Sequence, residues 1–228
     1  MRSNKVKSQN QKVMVGGYCG IIAGLCFLFG MLVYVCFLME YRFGDINEPF
    51  ASQVRTMAEH ALLLYGWYFI IYIVFGLALL GFQIGIQPYL KVGGLQQACA
   101  VLGYLWVGLT LTTGMLANVG NTMILQVVSF DSSSAMYLWY ALQMLIDGLG
   151  GGHEIVGGVW MLTLGAALIS FNIYGLGLKV LAFIIGSIGV LSSAPGLSML
   201  GGAFGLGCIV WFLIIGALMI KHTSKRYA

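Results

Sequence analysis

Two His/Glu pairs, Glu59-His60 and His153-Glu154, carry most of the chemical reach of this chain. Each stands at the start of a long apolar run, so both pairs should sit at a similar depth near one membrane boundary. Asp147 lies just before a glycine run, and Asn118 and Asn121 reach a similar level from a third apolar run. Two imidazoles and two or three carboxylates could bind a divalent transition metal or exchange protons. The same layer could hold another cation, a polar solute or a lipid headgroup. Ionisable groups at membrane depth face a bundle interior or a watered cavity, because each charge exposed to hydrocarbon costs about 2.5–3.5 kcal/mol or more. The expectation is a recessed cavity open to the acidic side. A plainer role competes with it: Glu59 and Glu154 can complement positive helix N-termini while the imidazoles bond headgroups or loop carbonyls.

Patterns for other chemistry are missing. The sequence has no GxSxG elbow, no HExxH, no GxxxxGK[ST] phosphate loop and no lysine inside a span for a Schiff base. No catalytic residue is assigned, and an enzyme would have to rest on the His/Glu layer alone. GLGGGHE lacks the strand and the Lys-Ser/Thr of a phosphate loop, so it reads as a hinge. A haem held between His60 and His153 would have one imidazole at each position and no attachment motif. No cofactor is expected, and a transition metal is the only inorganic group the layer suggests. Met115, Met123, Met136 and Met144 lack clustered copper spacing and read as flexible apolar packing. The five cysteines show no CxxC spacing and read as buried small hydrophobes.

The elements that must position these groups are membrane helices. With 60% hydrophobic and 8% charged residues, the 228-residue chain has too little polar surface for a soluble globule. It reads as one integral-membrane domain, all-α, with six spans at about 14–38, 60–87, 97–118, 153–172, 178–194 and 200–220. All seven acidic residues fall on one side of this threading. Nine of the eleven Lys and Arg fall on the other, with only Arg42 and Arg55 among the acids. That bias predicts a basic tail over 1–13, both termini in the cytoplasm, and residence in a bacterial or archaeal cytoplasmic membrane. The segment 39–58 reads as a mixed-charge outer loop, and 192–196 as a tight outer turn.

Residues 118–152 form an outer helical extension. A continuous helix from Ala98 to Phe130 would be about 50 Å long, beyond a hydrocarbon core of about 30 Å. Ser132, Ser133 or Ser134 can cap a return helix, completing an extracytoplasmic hairpin that ends at Gly148–Gly152. Met136, Tyr137, Trp139, Tyr140 and Met144 on this helix are candidates for the headgroup zone or for a protein interface. Glycines four apart (Gly20 with Gly24, Gly81 with Gly85, Gly201 with Gly205) suit close helix packing. From His153 onward, the segments HEIVGGVWMLTLGAAL, YGLGLK, FIIGSIGVLSSAPG and WFLIIGALMIK resemble uncharacterised bacterial six-span membrane proteins grouped as a domain of unknown function. That resemblance covers about a third of the chain and implies architecture alone.

Two functions compete, and the first is the one expected, because ionisable groups are scarce through the span centres where an ion or proton path would need them. In the first, the protein is a noncatalytic membrane subunit or scaffold, its partners being the bilayer and other membrane-protein subunits, with no nucleic acid. In the second, it is a small transporter or sensor binding a cation, proton or polar solute at the His/Glu layer.

Overall fold

The structure, a computed structural model, describes residues 2–90, 92–151, 154–170 and 173–224, with side chains of the first helix from Gln9 on. Every regular element in them is helical. Helix α1 (Arg2–Val33) runs into a π-helical turn over Tyr34–Leu38, and after an outer loop α2 (Phe50–Glu59) leads into the second rod. That rod comprises α3 (Ala61–Tyr68), π-helical turns over Phe69–Val74 and α4 (Phe75–Ile86). Then come α5 (Gly94–Val127), α6 (Ser132–Ile146), a kink over Asp147–Gly151, α7 (Ile155–Ser170), α8 (Leu176–Leu191) and α9 (Leu200–Ser224).

Five stretches are long and apolar enough to cross a membrane: Gln9–Leu38, Ala61–Tyr89, Gly94–Val127, Ser132–Ser170 and Leu200–Thr223, with Leu176–Leu191 a shorter sixth. Large aliphatic side chains stand exposed along these rods, among them Leu25, Leu77, Val101, Ile184 and Leu206. A surface so apolar is matched by lipid and not by water. The chain is an all-α polytopic membrane bundle.

Neighbours in sequence are neighbours in space. Helix α1 packs on α4, α4 on α5, α5 on α7, α7 on α8 and α8 on α9, and the ring closes where α9 returns to α1. Several crossings are close enough to need glycine, α1 on α4 and α7 on α8 among them. A Cβ on Gly16 would meet the Gly85 Cα at 2.6 Å, and one on Gly158 would meet the Val190 nitrogen at 2.6 Å. At these points backbones touch, and dispersion replaces the hydrophobic drive that lipid cannot provide.

The interior holds two separate apolar clusters. The inner one fills the ring with Phe82, Trp106, Trp160, Phe204, Trp211 and Phe212. The outer one gathers Leu38, Met57, Tyr68, Ile124, Trp139 and Leu142 from the loops, α2, α3, α5 and α6.

Several boundaries differ from expectation. The first helix begins at Arg2, so most of the basic tail is helical. Segment 39–58 is not all loop: Gln53 and Met57 of α2 are buried, and the Gln53 amide accepts from the Gly44 N–H at 3.0 Å and donates to the Arg42 carbonyl at 3.3 Å. The cap of α6 is Asp131, whose carboxylate accepts the Ser134 N–H at 3.0 Å, because a charged acceptor outcompetes the neighbouring serines.

Trp139 corrects the reading of the hairpin surface. It is fully buried, with its ring 6.2 Å from Phe50, so it anchors α6 to its own chain. Tyr137, Tyr140 and Met144 stay exposed, and Met136 is half-buried. Alternate turns of α6 thus face in and out.

Candidate functional site

Antiparallel threading brings every described acidic residue to one end of the bundle, yet the helices do not all reach equally far. With 34 residues α5 is about 51 Å long, whereas α7 and α8, with 16 each, are about 24 Å. A hydrocarbon layer is about 30 Å thick, so one end of α8 must be recessed. Lys179 stands buried in its first turn, and Ser192 follows its other end. Ser192 fixes Glu154 at that depth, its hydroxyl accepting the Glu154 backbone N–H at 3.1 Å.

The step between long and short helices leaves a set of cavities. One, of about 230 Å³, is lined by Phe27, Tyr34, Trp67, Tyr72, Phe75, Trp106, Thr110 and Glu154, with Gly201, Gly202 and Gly205 of α9. A second, of about 320 Å³, shares Trp106, Gly150 and Glu154 with it and continues along Gly148, Leu149 and Ser193. A wider chamber of about 760 Å³ shares Tyr34, Trp67 and Tyr72 and carries Arg42, Asp45, Gln143, Asp147 and Ser198. Two π-helical turns and the kink that follows α6 contribute walls: Tyr34 from the first turn, Ile71 and Tyr72 from the second, Asp147 and Gly148–Gly150 from the kink. A π turn widens the backbone and re-aims side chains, and such turns concentrate at functional sites. Gly150 adopts φ +119°, a conformation that a residue with a Cβ would strain to hold.

The walls are firmly placed. The Trp67 indole donates to the Gly30 carbonyl at 3.1 Å, and Trp106 stacks among Phe75, Trp160 and Phe204 at 5.3–6.1 Å. Thr110 donates its hydroxyl to the Trp106 carbonyl at 2.7 Å, so it offers the cavity little beyond an acceptor lone pair. Glu154 is partly buried, and no described residue gives its carboxylate a hydrogen bond or ion pair.

The proposed layer is thus split. Glu154 lines the two smaller cavities and Asp147 the wide chamber, while His153 lies outside the described residues. Glu59 and His60 line none of these spaces: Glu59 is exposed, and the His60 ring lies 5.0 Å from that of Tyr41, its Nε2 buried without a partner. Asn118 and Asn121 sit on the face of α5 that meets α3, where Asn121 approaches the Tyr68 hydroxyl without a well-aligned hydrogen bond. Among the described residues no group of three or more His, Cys, Asp or Glu is placed to hold a metal.

At the mouth the charges are already matched. Arg42, held at φ +45°, pairs with Asp45 at 2.7 Å and also with Glu48. The Asn47 backbone and side-chain amides, then Arg42, hold the Asp45 carboxyl below its usual range. The hydroxyl and N–H of Ser134 do the same for Asp131.

The aromatic walls were invisible as a site in the sequence. Trp67, Tyr72, Phe75 and Trp106 sit in apolar runs and read as core; only a pairing of rods of unequal length turns their rings toward a space. Compared with known proteins, the chain matches no family model, no curated protein and no solved structure.

Proposed function

We propose that this protein binds a small ligand in the aromatic cavity, reached from the acidic face, and works as a transporter or sensor. The observation that carries the reading is the Glu154 carboxylate, recessed among aromatic rings with no partner among the described residues. A carboxyl so placed must either take up a proton or gain a partner, and groups poised in that way concentrate at binding sites. The basic bias of the opposite end puts both termini in the cytoplasm and the cavity mouth outside. Cysteine labelling at Ser52 and Ser133 from outside, and at Ser8 and Thr223 only after permeabilisation, checks that orientation.

Gly202 provides the functional test. It lines the cavity and a Cβ there meets nothing within 4 Å, so Gly202→Phe starts a bulky side chain from open space at the cavity wall. The variant should melt at or above the parent's temperature. It should lose any small molecule that co-purifies and any solute flux in proteoliposomes. Unchanged co-purification and flux would refute the cavity as the working site.

The scaffold reading keeps one observation, the outward face of α6 bearing Tyr137, Tyr140 and Met144. Under it, Tyr137→Ala with Tyr140→Ala releases co-purifying chains while Gly202→Phe does not.

A further inference from the structure

We infer that the group received by the aromatic cavity is an organic ammonium, either on a free amine or on a lipid headgroup; the inference rests on the cavity being a binding site. Charge sets the first condition. Lys and Arg are missing from the described lining of both spaces that Glu154 shares, so an anion would meet only repulsion there. The nearest guanidinium on a shared chamber, Arg42, is engaged by Asp45 and Glu48.

Donor chemistry sets the second. A bare metal ion needs several oxygen, nitrogen or sulfur ligands at about 2.0–2.6 Å. Around Glu154 the described walls supply one carboxylate; the other side-chain oxygens are the neutral hydroxyls of Tyr34, Tyr72, Thr110 and Ser193, on four separate segments, and no further His, Cys, Asp or Glu of these walls joins it. A cation clothed in carbon has the opposite needs. Its charge is spread over methyl or methylene groups that pack on aromatic rings, whose quadrupoles attract it by about 0.5–2 kcal/mol per contact. Trp67, Tyr72, Phe75 and Trp106 are such rings, and one carboxylate balances one ammonium.

Access agrees with both conditions. The wide chamber shares Tyr34, Trp67 and Tyr72 with the cavity, and its described lining carries no cation besides Arg42, which Asp45 and Glu48 neutralise. The cavity also runs between α1, at Gly30 and Met31, and the first turns of α9, at Gly201 and Gly202. Those helices are packed backbone to backbone at the other end, around Gly17 and Gly216. A headgroup could therefore enter sideways between them.

The experiment uses the full chain in phosphatidylglycerol nanodiscs, titrated with choline, tetraethylammonium and the neutral choline isostere 3,3-dimethylbutanol. Binding is read by calorimetry and by the fluorescence of Trp67 and Trp106. The ammonium probes should bind at least about tenfold tighter than the isostere, and Glu154→Gln should cost at least about tenfold in ammonium affinity with no loss in melting temperature. Equal binding of isostere and ammonium, both abolished by Gly202→Phe, overturns the ammonium while leaving the cavity reading standing. No binding of any probe overturns both when phosphatidylcholine nanodiscs also yield no retained lipid by native mass spectrometry. Retention of phosphatidylcholine by the parent and not by Glu154→Gln, with displacement by free choline, assigns the headgroup. Choline binding without such retention assigns a soluble amine.

Discussion

The two apolar clusters are built from similar residues and treat their polar groups in opposite ways. In the inner cluster Gln83 is fully buried and fully used: its amide donates to the Cys99 carbonyl at 3.1 Å and accepts the Trp160 indole N–H at 3.0 Å. Trp211 likewise donates to the Leu178 carbonyl at 3.1 Å. In the outer cluster and its border, polar atoms of His60, Asn118, Asn121, Trp139 and Gln143 are buried without partners, against only Gln87 and Tyr174 elsewhere among the described residues, Tyr174 at the border of the inner cluster. Unpaired groups in a dry interior are costly, so the outer region is the weaker of the two and the one with binding capacity to spare. The cavities lie where the two clusters meet. A stiff inner ring holds Trp106 and the Glu154 backbone, while a looser outer cap covers them.

The largest expected effect breaks the ring itself. Gly158→Leu would drive a side chain into the backbone of α8, which cannot yield as a flexible side chain would, and should cost about 3 kcal/mol. Loss of the folded species on size-exclusion chromatography in mild detergent is the readout; a monodisperse, normally melting variant would deny that α7 and α8 form the rigid part.

The sharper test removes one amide from each region. Gln83→Leu leaves the Trp160 N–H stranded, while the Cys99 carbonyl keeps its helical bond, and should cost about 1–3 kcal/mol. Asn121→Leu deletes an amide that has no well-formed bond to lose, and should be neutral or stabilising. Equal losses in reversible unfolding would erase the distinction between the clusters.

Hydrogen exchange should grade the same contrast without mutation. Amides of α6 should exchange faster than those of α7 and of α9 past Phe204, because local opening follows the density and satisfaction of buried contacts. Addition of a cavity ligand should slow exchange around Gly150 and in α6 more than in the inner ring. The reverse order would make the cap the rigid part.

Acid should loosen the mouth, and weakly. Asp45 and Asp131 are held below the ordinary carboxylate range, so their ionised forms favour the folded loops. That contribution is complete above the unfolded value of about 3.9 and is lost as the pH falls through the lowered folded values. Both groups are exposed, so the loosening is expected only below about pH 4 and should be small. Proteolysis of the 39–49 loop across that range, with Asp45→Asn as control, reads it; a transition near neutrality would point to another group.

Much of the architecture was readable because it depends on length and polarity along a line. The apolar runs, the long α5 and the return helix α6 follow from counting residues against a bilayer. The α6 cap was read as Ser132, Ser133 or Ser134 and is Asp131, because Asp and Ser are both competent caps and geometry alone chooses. Helix α2 was missed because its polar face resembles a loop until Gln53 is seen tying down the Arg42–Gly44 turn. Among the site residues, Glu154 was identified from depth. Pairing it with His60 assumed that equal depth means contact, but depth is one coordinate and the position of each helix in the ring supplies the other two.

The sequence by itself determined that this is a membrane bundle of about six rods with its acids gathered at one end, because hydropathy and charge act through local composition and need no knowledge of who packs on whom. Only the tertiary structure decided that Trp139 faces inward, that Gln83 and Trp160 close a buried hydrogen bond, and that Glu154 meets a box of aromatic rings. Those outcomes depend on the rotation and relative height of separate helices. These are set by backbone contacts such as Gly16 on Gly85 and by the mismatch between a helix of about 51 Å and two of about 24 Å.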